Sequence, residues 1–583
     1  MSNAQRKYEI WLNNPDFDQE TKDELQSIKN NVSEIEDRFY QDLSFGTAGL
    51  RGILGAGTNR MNIYTVGRAA DGFARYFKER GEDYCARGLA ISYDSRHFSP
   101  EFAELVARIF VTYGIRVVLS DELRPTPMLS FAVRHFNCAG GVMITASHNP
   151  KMYNGFKAYG EDGGQLGAED ADAVLQRMNE RDDFTAIVNA ALPLTEAKQS
   201  ELWNEMGEEF DQIYNDMLLD LSINPEACKK QKDLAIVYTP LYGTGYKPVM
   251  RILDSLGFEN IKVVEEQAKP NGDFPSAPYP NPEERAAMTL GIELAEKENA
   301  DLLIATDPDA DRTGVAVRTK DGDFIVLTGN QIGLLLMEYI LSEKTKSGTL
   351  PEKSFCVTTV VSTKLTRRIA EAYDADLTEV LTGFKNIAEQ ILNRDENGDE
   401  YFQFGFEESI GYLAGTKVRD KDAVVATMLI AEMAAVAAEQ GKTLYDNLIE
   451  LYEKYGYGAE KTISIERTGM KGAAQIKNAM EILRNEKSKG ISGIPITKIK
   501  DFQTNEITDV VSGETKTSNL PQSNVLLYEV GDDLDWFAVR PSGTEPKIKV
   551  YAGFYTDSEA EAKADLAKYS SAIAEYIEEL LDA

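Results

Sequence analysis

Thiols and imidazoles are scarce in this chain of 583 residues, which has four cysteines and three histidines. The cysteines are far apart and form no C-x-x-C pair, so a zinc site of closely spaced thiolates is not expected. Widely separated thiols are typical of free, mostly buried cysteines in a reducing compartment. Three histidines are too few for a histidine-rich metal centre.

The chain also has few positive charges: it contains 62 Lys and Arg against 95 Asp and Glu, and its formal net charge is −33. This balance argues against binding to the phosphate backbone of nucleic acid and against docking on anionic lipid.

Long apolar runs are absent as well. The longest covers residues 423–438, is interrupted by Glu432, and predicts a buried helix rather than a membrane span. The polar start, residues 1–8, is not typical of a signal peptide. We expect a cytoplasmic protein with no nucleic-acid or membrane partner, and the oligomeric state stays open.

The remaining pattern predicts an α/β protein of several domains. Residues 1–40 have helical spacing of apolar side chains, and short β-rich runs, such as residues 89–93, then alternate with helical patterns. Residues 170–222 are acidic and predict helix, and residues 315–327 predict a hairpin that turns at Asp321-Gly322. This alternation restarts near residues 234 and 355, which gives three α/β units. The last segment has strand-like runs at 536–539 and 548–552 and an amphipathic C-terminal helix, so it predicts a fourth, α+β domain. The length of the chain agrees with about four domains.

The clearest chemical motif is Asp307-Pro-Asp309-Ala-Asp311-Arg312, which follows a predicted strand. In an extended loop the three carboxylates at i, i+2 and i+4 can converge on one divalent cation. A calcium loop of the EF-hand type is excluded because its sixth position would be Arg312 and its twelfth Arg318. A solvated acidic turn is the alternative. We favour Mg²⁺, which commonly combines few carboxylates with a phosphate oxygen, and Arg312 indicates an anion nearby.

A second motif places a serine at a strand-to-loop turn, Thr145-Ala-Ser147-His148-Asn149-Pro150. Ser147 is a candidate nucleophile, although the hydrolase elbow G-x-S-x-G is absent. A simple Asn-Pro turn explains the same residues equally well. A phosphorylated Ser147 would supply the further anionic ligand that three aspartates leave open on Mg²⁺.

Two further loops suit a phosphorylated sugar. Residues 540–547, Arg-Pro-Ser-Gly-Thr-Glu-Pro-Lys, offer a forked cation, two hydroxyls and backbone N–H groups, which fit a phosphate; the alternative is a plain β-turn. Residues 405–412, Gly-Phe-Glu-Glu-Ser-Ile-Gly-Tyr, present Glu407 and Ser409, which could accept from and donate to sugar hydroxyls. A glycine-flanked loop without a ligand explains this second sequence as well.

These four segments, in this order and together with Gly-Thr-Ala-Gly-Leu-Arg-Gly at 46–52, resemble the α-D-phosphohexomutase superfamily. The Gly-Phe-Glu-Glu-Ser sequence and the spacers Pro308 and Ala310 resemble its phosphoglucomutase and phosphopentomutase branch. The resemblance implies three similar α/β domains with mixed sheets and a smaller C-terminal α+β domain around a central cleft. We place the domains at residues 1–205, 206–325, 326–455 and 456–583.

The resemblance also implies roles for individual residues. Ser147 is expected to be the phosphoserine carrier, and Ser147, Asp307, Asp309 and Asp311 to hold Mg²⁺. The other residues expected to take part in catalysis are His148, Lys157, Arg51 and Arg312. Lys157 is the candidate general base, which would need a lowered pKa. The residues expected to bind substrate are Thr47, Thr382, Gly383, Lys385, Glu407, Ser409, Lys421, Arg540, Ser542, Gly543 and Thr544.

The implied activity is the interconversion of glucose 1-phosphate and glucose 6-phosphate, with mannose phosphates as further substrates. Phospho-Ser147 would donate its phosphoryl group to give a sugar 1,6-bisphosphate, and the other phosphate would return to Ser147. Three alternatives stay open: a phosphopentomutase, an Mg²⁺-dependent phosphatase with a phosphoserine intermediate, and a non-catalytic sugar-phosphate sensor. The intact serine argues against the sensor, and the second phosphate loop argues against the phosphatase.

Overall fold

The computed structural model describes residues 2–46, 49–467, 469–485, 493–531, 534–542 and 547–583. Its contacts divide the chain into two compact units. The first unit comprises Met1–Thr328, Ala388–Gly398 and Ile410–Thr443, and the second unit comprises Gly329–Ile387, Asp399–Ser409 and Leu444–Ala583.

Three helices open the first unit, as the sequence predicts: α1 (Asn3–Asn13), α2 (Gln19–Ser27) and α3 (Val32–Phe39). Each begins at a polar residue whose side chain accepts a hydrogen bond from a backbone N–H of the first turn, which satisfies a donor that the helix itself leaves unpaired. Trp11 and Phe39 pack these helices against Tyr64. The prediction of an N-terminal helical segment is confirmed.

The next elements build the first sheet. They are β1 (Leu50–Ile53), α4 (Ile63–Arg80), α5 (Glu82–Arg87), β2 (Leu89–Tyr93), α6 (Ser99–Thr112), β3 (Val117–Ser120), α7 (Thr126–His135), β4 (Gly140–Ile144), β5 (Tyr153–Tyr159), α8 (Ala168–Asn179), α9 (Phe184–Ala190), α10 (Leu194–Ala197) and β6 (Trp203–Met206). The strand order is β1-β5-β4-β2-β3-β6. β2, β3, β4 and β6 are parallel, whereas β5 and β1 are antiparallel additions. The parallel strands β3 and β4 are buried throughout, as expected for strands covered by helices on both faces.

One sequence prediction needs correction here. Residues 170–222 were predicted to be helical, but β6 lies within them and pairs in parallel with β3. Strand β6 is only four residues long and half-exposed, so its own periodicity is too weak to reveal it. Pairing with a strand more than 80 residues earlier decides its structure.

A second sheet follows in the first unit. Its elements are α11 (Glu208–Leu219), α12 (Pro225–Lys230), β7 (Ile236–Thr239), α13 (Tyr246–Leu256), β8 (Ile261–Val263), α14 (Glu265–Ala268), α15 (Thr289–Lys297), β9 (Leu302–Thr306), β10 (Thr313–Arg318) and β11 (Phe324–Val326). The order is β11-β10-β9-β7-β8, with β8, β7 and β9 parallel. The hairpin predicted across Asp321-Gly322 is confirmed as β10 and β11.

The following elements alternate between the two units. They are α16 (Gly329–Ser347), β12 (Ser354–Thr359), α17 (Leu365–Ala372), β13 (Asp376–Val380), α18 (Phe384–Gln390), a π-helix (Ile391–Glu396), β14 (Tyr401–Glu407), β15 (Gly411–Ala414), α19 (Ala423–Glu439) and α20 (Leu444–Tyr455). In the second unit, β12 lies between β13 and β14, parallel to both. In the first unit α19 is the buried helix predicted for residues 423–438. Among the described residues no single helix has the length and hydropathy of a membrane span, and α19 and α20 reach them only when taken together.

The second unit ends in an α+β segment. It contains β16 (Tyr457–Glu466), α21 (Gly469–Asn485), β17 (Ile496–Asp501), β18 (Glu506–Asp509), β19 (Thr515–Thr517), β20 (Leu526–Val530), β21 (Trp536–Pro541), β22 (Lys547–Thr556) and α22 (Glu559–Asp582). The sheet order is β16-β22-β21-β20-β17-β18-β19. Ile573 and Ile577 of α22 are fully buried in its core, as the amphipathic pattern predicts. Three α/β segments and a final α+β segment confirm the predicted fold class.

Candidate active site

Ser147 lies in the loop after β4 in a strained backbone conformation. Its φ is 54°, in the left-handed region that non-glycine residues rarely adopt, and its side chain is 3% exposed. The Ser147 N–H donates to Thr145 Oγ1 at 2.8 Å, and Thr145 Oγ1 donates to Asp94 Oδ2 at 2.6 Å. Strain of this kind persists only where the surroundings enforce it, and it is common at functional sites.

A buried arginine that the sequence reasoning missed holds this loop. Arg96 is 1% exposed and donates to four backbone carbonyls, those of Ser147, Asn149, Pro150 and Tyr153. Its Nε is 3.3 Å from Asp94 Oδ2, so the buried cation has a buried anionic partner. Backbone acceptors have no sequence signature; the only available signal was an arginine directly after the strand β2.

The three aspartates of the metal motif follow β9 and lie together, fully buried. Their carboxylate oxygens approach within 4.8 Å of one another. Asp307 Oδ1 accepts the N–H groups of Asp311 and Arg312 at 3.1 and 3.0 Å, which folds the loop back on itself. Ala310, at the bend, also has a positive φ of 47°. Asp307 Oδ2 accepts a 2.9 Å hydrogen bond from Ser147 Oγ, so this loop and the serine loop meet.

The cluster has the properties of a site for a hard cation. Within the described residues, Asp309 Oδ1 and Asp311 Oδ1 are buried and have no hydrogen-bond partner. Burial, together with the charges of Asp309 and Asp311, raises the pKa of Asp307 well above its usual range. Burial also acts to raise the pKa of Asp311, but Lys421 and Lys157 outweigh it and lower that pKa. An oxygen-only set of donors suits Mg²⁺, so the residues present fit this ion.

Two lysines border the aspartates. Lys157 Nζ, from β5, is 2.7 Å from Asp309 Oδ2 and 3.3 Å from Asp311 Oδ2. Lys421 Nζ is 3.1 Å from Asp311 Oδ2. Burial acts to lower the pKa of Lys157, but Asp309 and Asp311 outweigh it and the pKa is raised. The aspartates therefore stabilise the ammonium, whereas the role of general base requires a lowered pKa of Lys157.

The other cationic residues predicted for this region surround His148. His148 Nδ1 is 3.2 Å from Ser147 Oγ, and the ring of Tyr279 meets the His148 ring edge-on at 5.6 Å. Burial, Arg312 and Arg51 hold the pKa of His148 well below its usual value, so the imidazole is neutral at pH 7. Arg312 Nε is 3.8 Å from Asp311 Oδ1, and Arg51 is exposed on β1.

In the second unit the predicted sugar-binding residues also come together. Glu407, at the end of β14, is buried, and its Oε1 accepts the Gly383 N–H at 2.7 Å. Gly383 has a φ of 113°, a conformation that favours glycine. Thr382, Lys385 and Ser409 are half-buried beside them. One hydrogen bond therefore connects the 382–385 loop to the Glu407 loop.

The predicted phosphate loop follows β21 in the same unit. Arg540 is the half-buried penultimate residue of this strand, and the Ser542 N–H donates to the Lys547 carbonyl at 2.8 Å. Gly543 and Thr544, like Thr47 of the first unit, lie outside the described residues. Burial raises the pKa of the Tyr551 hydroxyl; Glu408 and Glu407 add to this effect, whereas Arg540 opposes it. Tyr551, which the sequence reasoning missed, thus lies within electrostatic range of both the sugar loop and the phosphate loop.

Comparison with known proteins identifies the family. Four family models match, describing phosphoglucomutase/phosphomannomutase α/β/α domains I, II and III and the C-terminal domain, at residues 42–184, 212–322, 328–455 and 516–567.

Curated relatives agree with these matches. A phosphoglucomutase of Staphylococcus epidermidis is 40% identical over 88% of this chain and 91% of its own length, and one of Staphylococcus haemolyticus is 38% identical over 92% and 94%. In fold, the chain is similar to the pp63/parafusin phosphoglucomutase of Paramecium, with a TM-score of 0.67, 16% identity and coverage of 92% of this chain and 96% of that one. The predicted family is confirmed: the chain belongs to the phosphoglucomutase/phosphomannomutase family.

Proposed function

We propose that this protein interconverts glucose 1-phosphate and glucose 6-phosphate through a phosphoserine enzyme and glucose 1,6-bisphosphate. The observation that carries the proposal is the 2.9 Å contact of Ser147 Oγ with a buried cluster of three aspartates. A buried nucleophile beside three buried carboxylates suits phosphoryl transfer, and the relatives named phosphoglucomutase favour the hexose phosphates over pentose phosphates.

The transfer follows from the residues around Ser147. A sugar hydroxyl oxygen attacks the phosphorus of phospho-Ser147; the new O–P bond forms while the bond from phosphorus to Ser147 Oγ breaks and its electron pair stays on Oγ. We assign the proton of the sugar hydroxyl to Lys157 Nζ. The amine must be neutral to accept it, which requires that the charge of Asp309 and Asp311 be offset. The bisphosphate then presents its other phosphate to Ser147 Oγ. The Oγ–P bond forms again while the bond from that phosphorus to the sugar oxygen breaks, and Lys157 Nζ returns its proton to the sugar oxygen.

Asp307, Asp309, Asp311 and a phosphate oxygen on Ser147 would hold Mg²⁺, which when bound neutralises charge on the transferring phosphoryl group. Arg51 and Arg312 would stabilise the same negative charge. Neutral His148, with Nδ1 facing Ser147 Oγ, would orient the carrier. The cation fits here because two buried carboxylate oxygens have no hydrogen-bond partner among the described residues.

The second unit would hold the part of the substrate that does not react. We assign the non-reacting phosphate to Arg540, Ser542, Gly543 and Thr544, and the sugar hydroxyls to Glu407 and Ser409. Thr382, Gly383 and Lys385 would contact the sugar from the neighbouring loop. Thr47 and Lys421 are also assigned to substrate binding. The substrate must bind in two orientations, one for each phosphate. The hydroxyl and guanidinium donors of the predicted phosphate loop can bind the phosphate at C1 or at C6 equally.

A four-domain organisation, with boundaries at residues 205/206, 325/326 and 455/456, belongs to the same proposal. Each family match falls inside one of these intervals, which supports the boundaries.

Substrate preference tests the proposed function directly. We expect the protein to convert glucose 1-phosphate faster than mannose, glucosamine or ribose 1-phosphate in one coupled assay with Mg²⁺. Release of inorganic phosphate from all four without isomerisation would instead identify a phosphatase, and a preference for ribose 1-phosphate would identify a pentomutase.

Arg540→Ala should raise the KM for glucose 1-phosphate and glucose 6-phosphate alike, by about 10- to 100-fold, because a charge-assisted contact to phosphate is lost. Steady-state kinetics in both directions measures the effect. Lys516→Ala, which changes an exposed cation on β19 of the same unit, is the matched control. An unchanged KM in both directions would refute the role assigned to Arg540.

A further inference from the structure

A segment of the first unit is attached to the metal loop at both of its ends. The Thr313 N–H donates to the Ile410 carbonyl at 3.1 Å, directly after Arg312. At the other end the Ala423 N–H donates to the Ala310 carbonyl at 3.2 Å, and Thr313 Oγ1 donates to the Ala423 carbonyl at 3.2 Å. We call residues 410–423 the strap. It begins with the last residues of the Gly-Phe-Glu-Glu-Ser-Ile-Gly-Tyr motif and contains Lys421.

Within the strap, Asp420 fixes the ammonium of Lys421. Asp420 is 1% exposed, and its Oδ1 is 3.2 Å from Lys421 Nζ and accepts the Lys421 N–H at 2.8 Å. Its Oδ2 accepts from Tyr159 Oη at 2.8 Å and from Gln165 Nε2 at 3.0 Å. Both oxygens of Asp420 are therefore engaged, and Lys421 Nζ is directed to Asp311, 3.1 Å away.

Gly411 provides the space through which the Lys421 side chain runs. A Cβ placed on Gly411 would lie 2.2 Å from Lys421 Cδ and 2.7 Å from Cγ. Cγ and Cδ lie in the middle of the Lys421 side chain. Asp420 and Asp311 hold the ammonium at its far end, so the Lys421 side chain could not simply rotate away from the added Cβ. The φ of Gly411 is not in the left-handed region, so backbone conformation does not require glycine at this position.

We propose that Gly411 and Asp420 are positioning residues that bring the Lys421 ammonium to Asp311 of the metal loop. This inference rests on the proposed function, in which the aspartates hold the cation at the transferring phosphoryl group. Residues 405–412 would then have two roles. Glu407 and Ser409 would bind the sugar, whereas Gly411 would leave space for the Lys421 side chain, whose ammonium contacts Asp311.

A double-mutant cycle tests this positioning. Gly411→Ala should lower kcat/KM for glucose 1-phosphate about 100-fold, because a displaced group at the reaction centre costs this much. Lys421→Ala removes the obstructed side chain, so adding Gly411→Ala to it should cause no further loss. If Gly411 acted independently of Lys421, the double variant would show the product of the losses in kcat/KM of the two single variants, and that result would overturn the inference.

Gly167→Ala is the matched control, since a Cβ there meets nothing within 4 Å and its φ is −61°. It should leave kcat/KM and the melting temperature unchanged. Asp420→Asn, which keeps the shape of the side chain, should lower kcat/KM about tenfold by loosening the ammonium. If Gly411→Ala fails to fold, Asp420→Asn in wild-type and Lys421→Ala backgrounds forms the same cycle, and multiplicative losses there would equally refute the inference.

Binding of Mn²⁺ gives a readout that does not depend on activity. The Lys421 ammonium repels a cation at Asp311, so Gly411→Ala and Lys421→Ala should each tighten Mn²⁺ binding to the unphosphorylated protein about tenfold in calorimetry. The double variant should bind no more tightly than either. Wild-type affinity in Gly411→Ala would overturn the positioning role. A wild-type protein without mutase activity would instead refute the proposed function, and the Mn²⁺ measurements would still decide the positioning.

Discussion

Ser147→Ala is expected to lower mutase activity by at least about 10⁴-fold, because the residue that carries the phosphoryl group is then absent. Ser147 Oγ makes one hydrogen bond to Asp307 and one contact to His148. The substitution removes this single oxygen atom, so we expect no cavity of appreciable size in the buried loop. Arg96 continues to hold the loop through backbone carbonyls. We therefore expect the variant to fold normally.

Two measurements check this result. A coupled assay follows glucose 6-phosphate formation, and intact mass spectrometry follows the phosphoryl group, which should be present in wild-type protein incubated with glucose 1,6-bisphosphate and absent from the variant. Ser27→Ala, in α2 of the same unit, controls for the loss of an exposed hydroxyl. Mutase activity of wild-type size in Ser147→Ala would eliminate the carrier role.

Asp309→Asn is expected to lower kcat/KM by about 10²–10³-fold and to weaken Mg²⁺ binding. The substitution preserves the shape of the side chain but removes one of three negative charges in the cluster. Asp309 Oδ1 is buried and has no hydrogen-bond partner among the described residues, so this oxygen is well placed to bind a cation. Asp309 Oδ2 accepts from Thr126 Oγ1 at 2.8 Å at the start of α7, a contact that an amide oxygen can keep.

Titration of activity with Mg²⁺ and calorimetry measure the two effects separately. Chelation of divalent cations should abolish wild-type activity, and added Mg²⁺ should restore it. Asp254→Asn, an exposed acid of α13, should behave as wild type. Full activity of Asp309→Asn at low Mg²⁺ would mean that the cluster serves another purpose.

Much of this protein is predictable from sequence because the relevant information is local. The strand β2 has the bounds that the sequence predicts, and the spacing of Asp307, Asp309 and Asp311 predicts the acidic cluster that the structure contains. Both features depend on periodicity within a few residues, which the chain displays directly.

What could not be predicted depends on partners far along the chain. Arg96 binds carbonyl groups more than 50 residues away, and every residue type offers the same carbonyl. Thr126 accounts for the position of Asp309 through a contact spanning 183 residues. The edge strand β19 is exposed throughout and its neighbour β18 is at most half-buried, so both lack an alternating apolar pattern.

The left-handed backbone at Ser147 also restricts which amino acid can serve as the nucleophile. Threonine has the same hydroxyl, but its branched Cβ is strongly disfavoured at a φ of 54°. Aspartate tolerates this conformation, but its carboxylate would repel Asp307 unless a cation is bound. Ser147→Asp should therefore retain the shape of the loop only when Mg²⁺ is present, whereas Ser147→Thr should displace the loop with or without Mg²⁺; melting temperatures at both conditions would distinguish the two. The loop thus accommodates an imitation of its charged form more readily than an exchange of one hydroxyl for another.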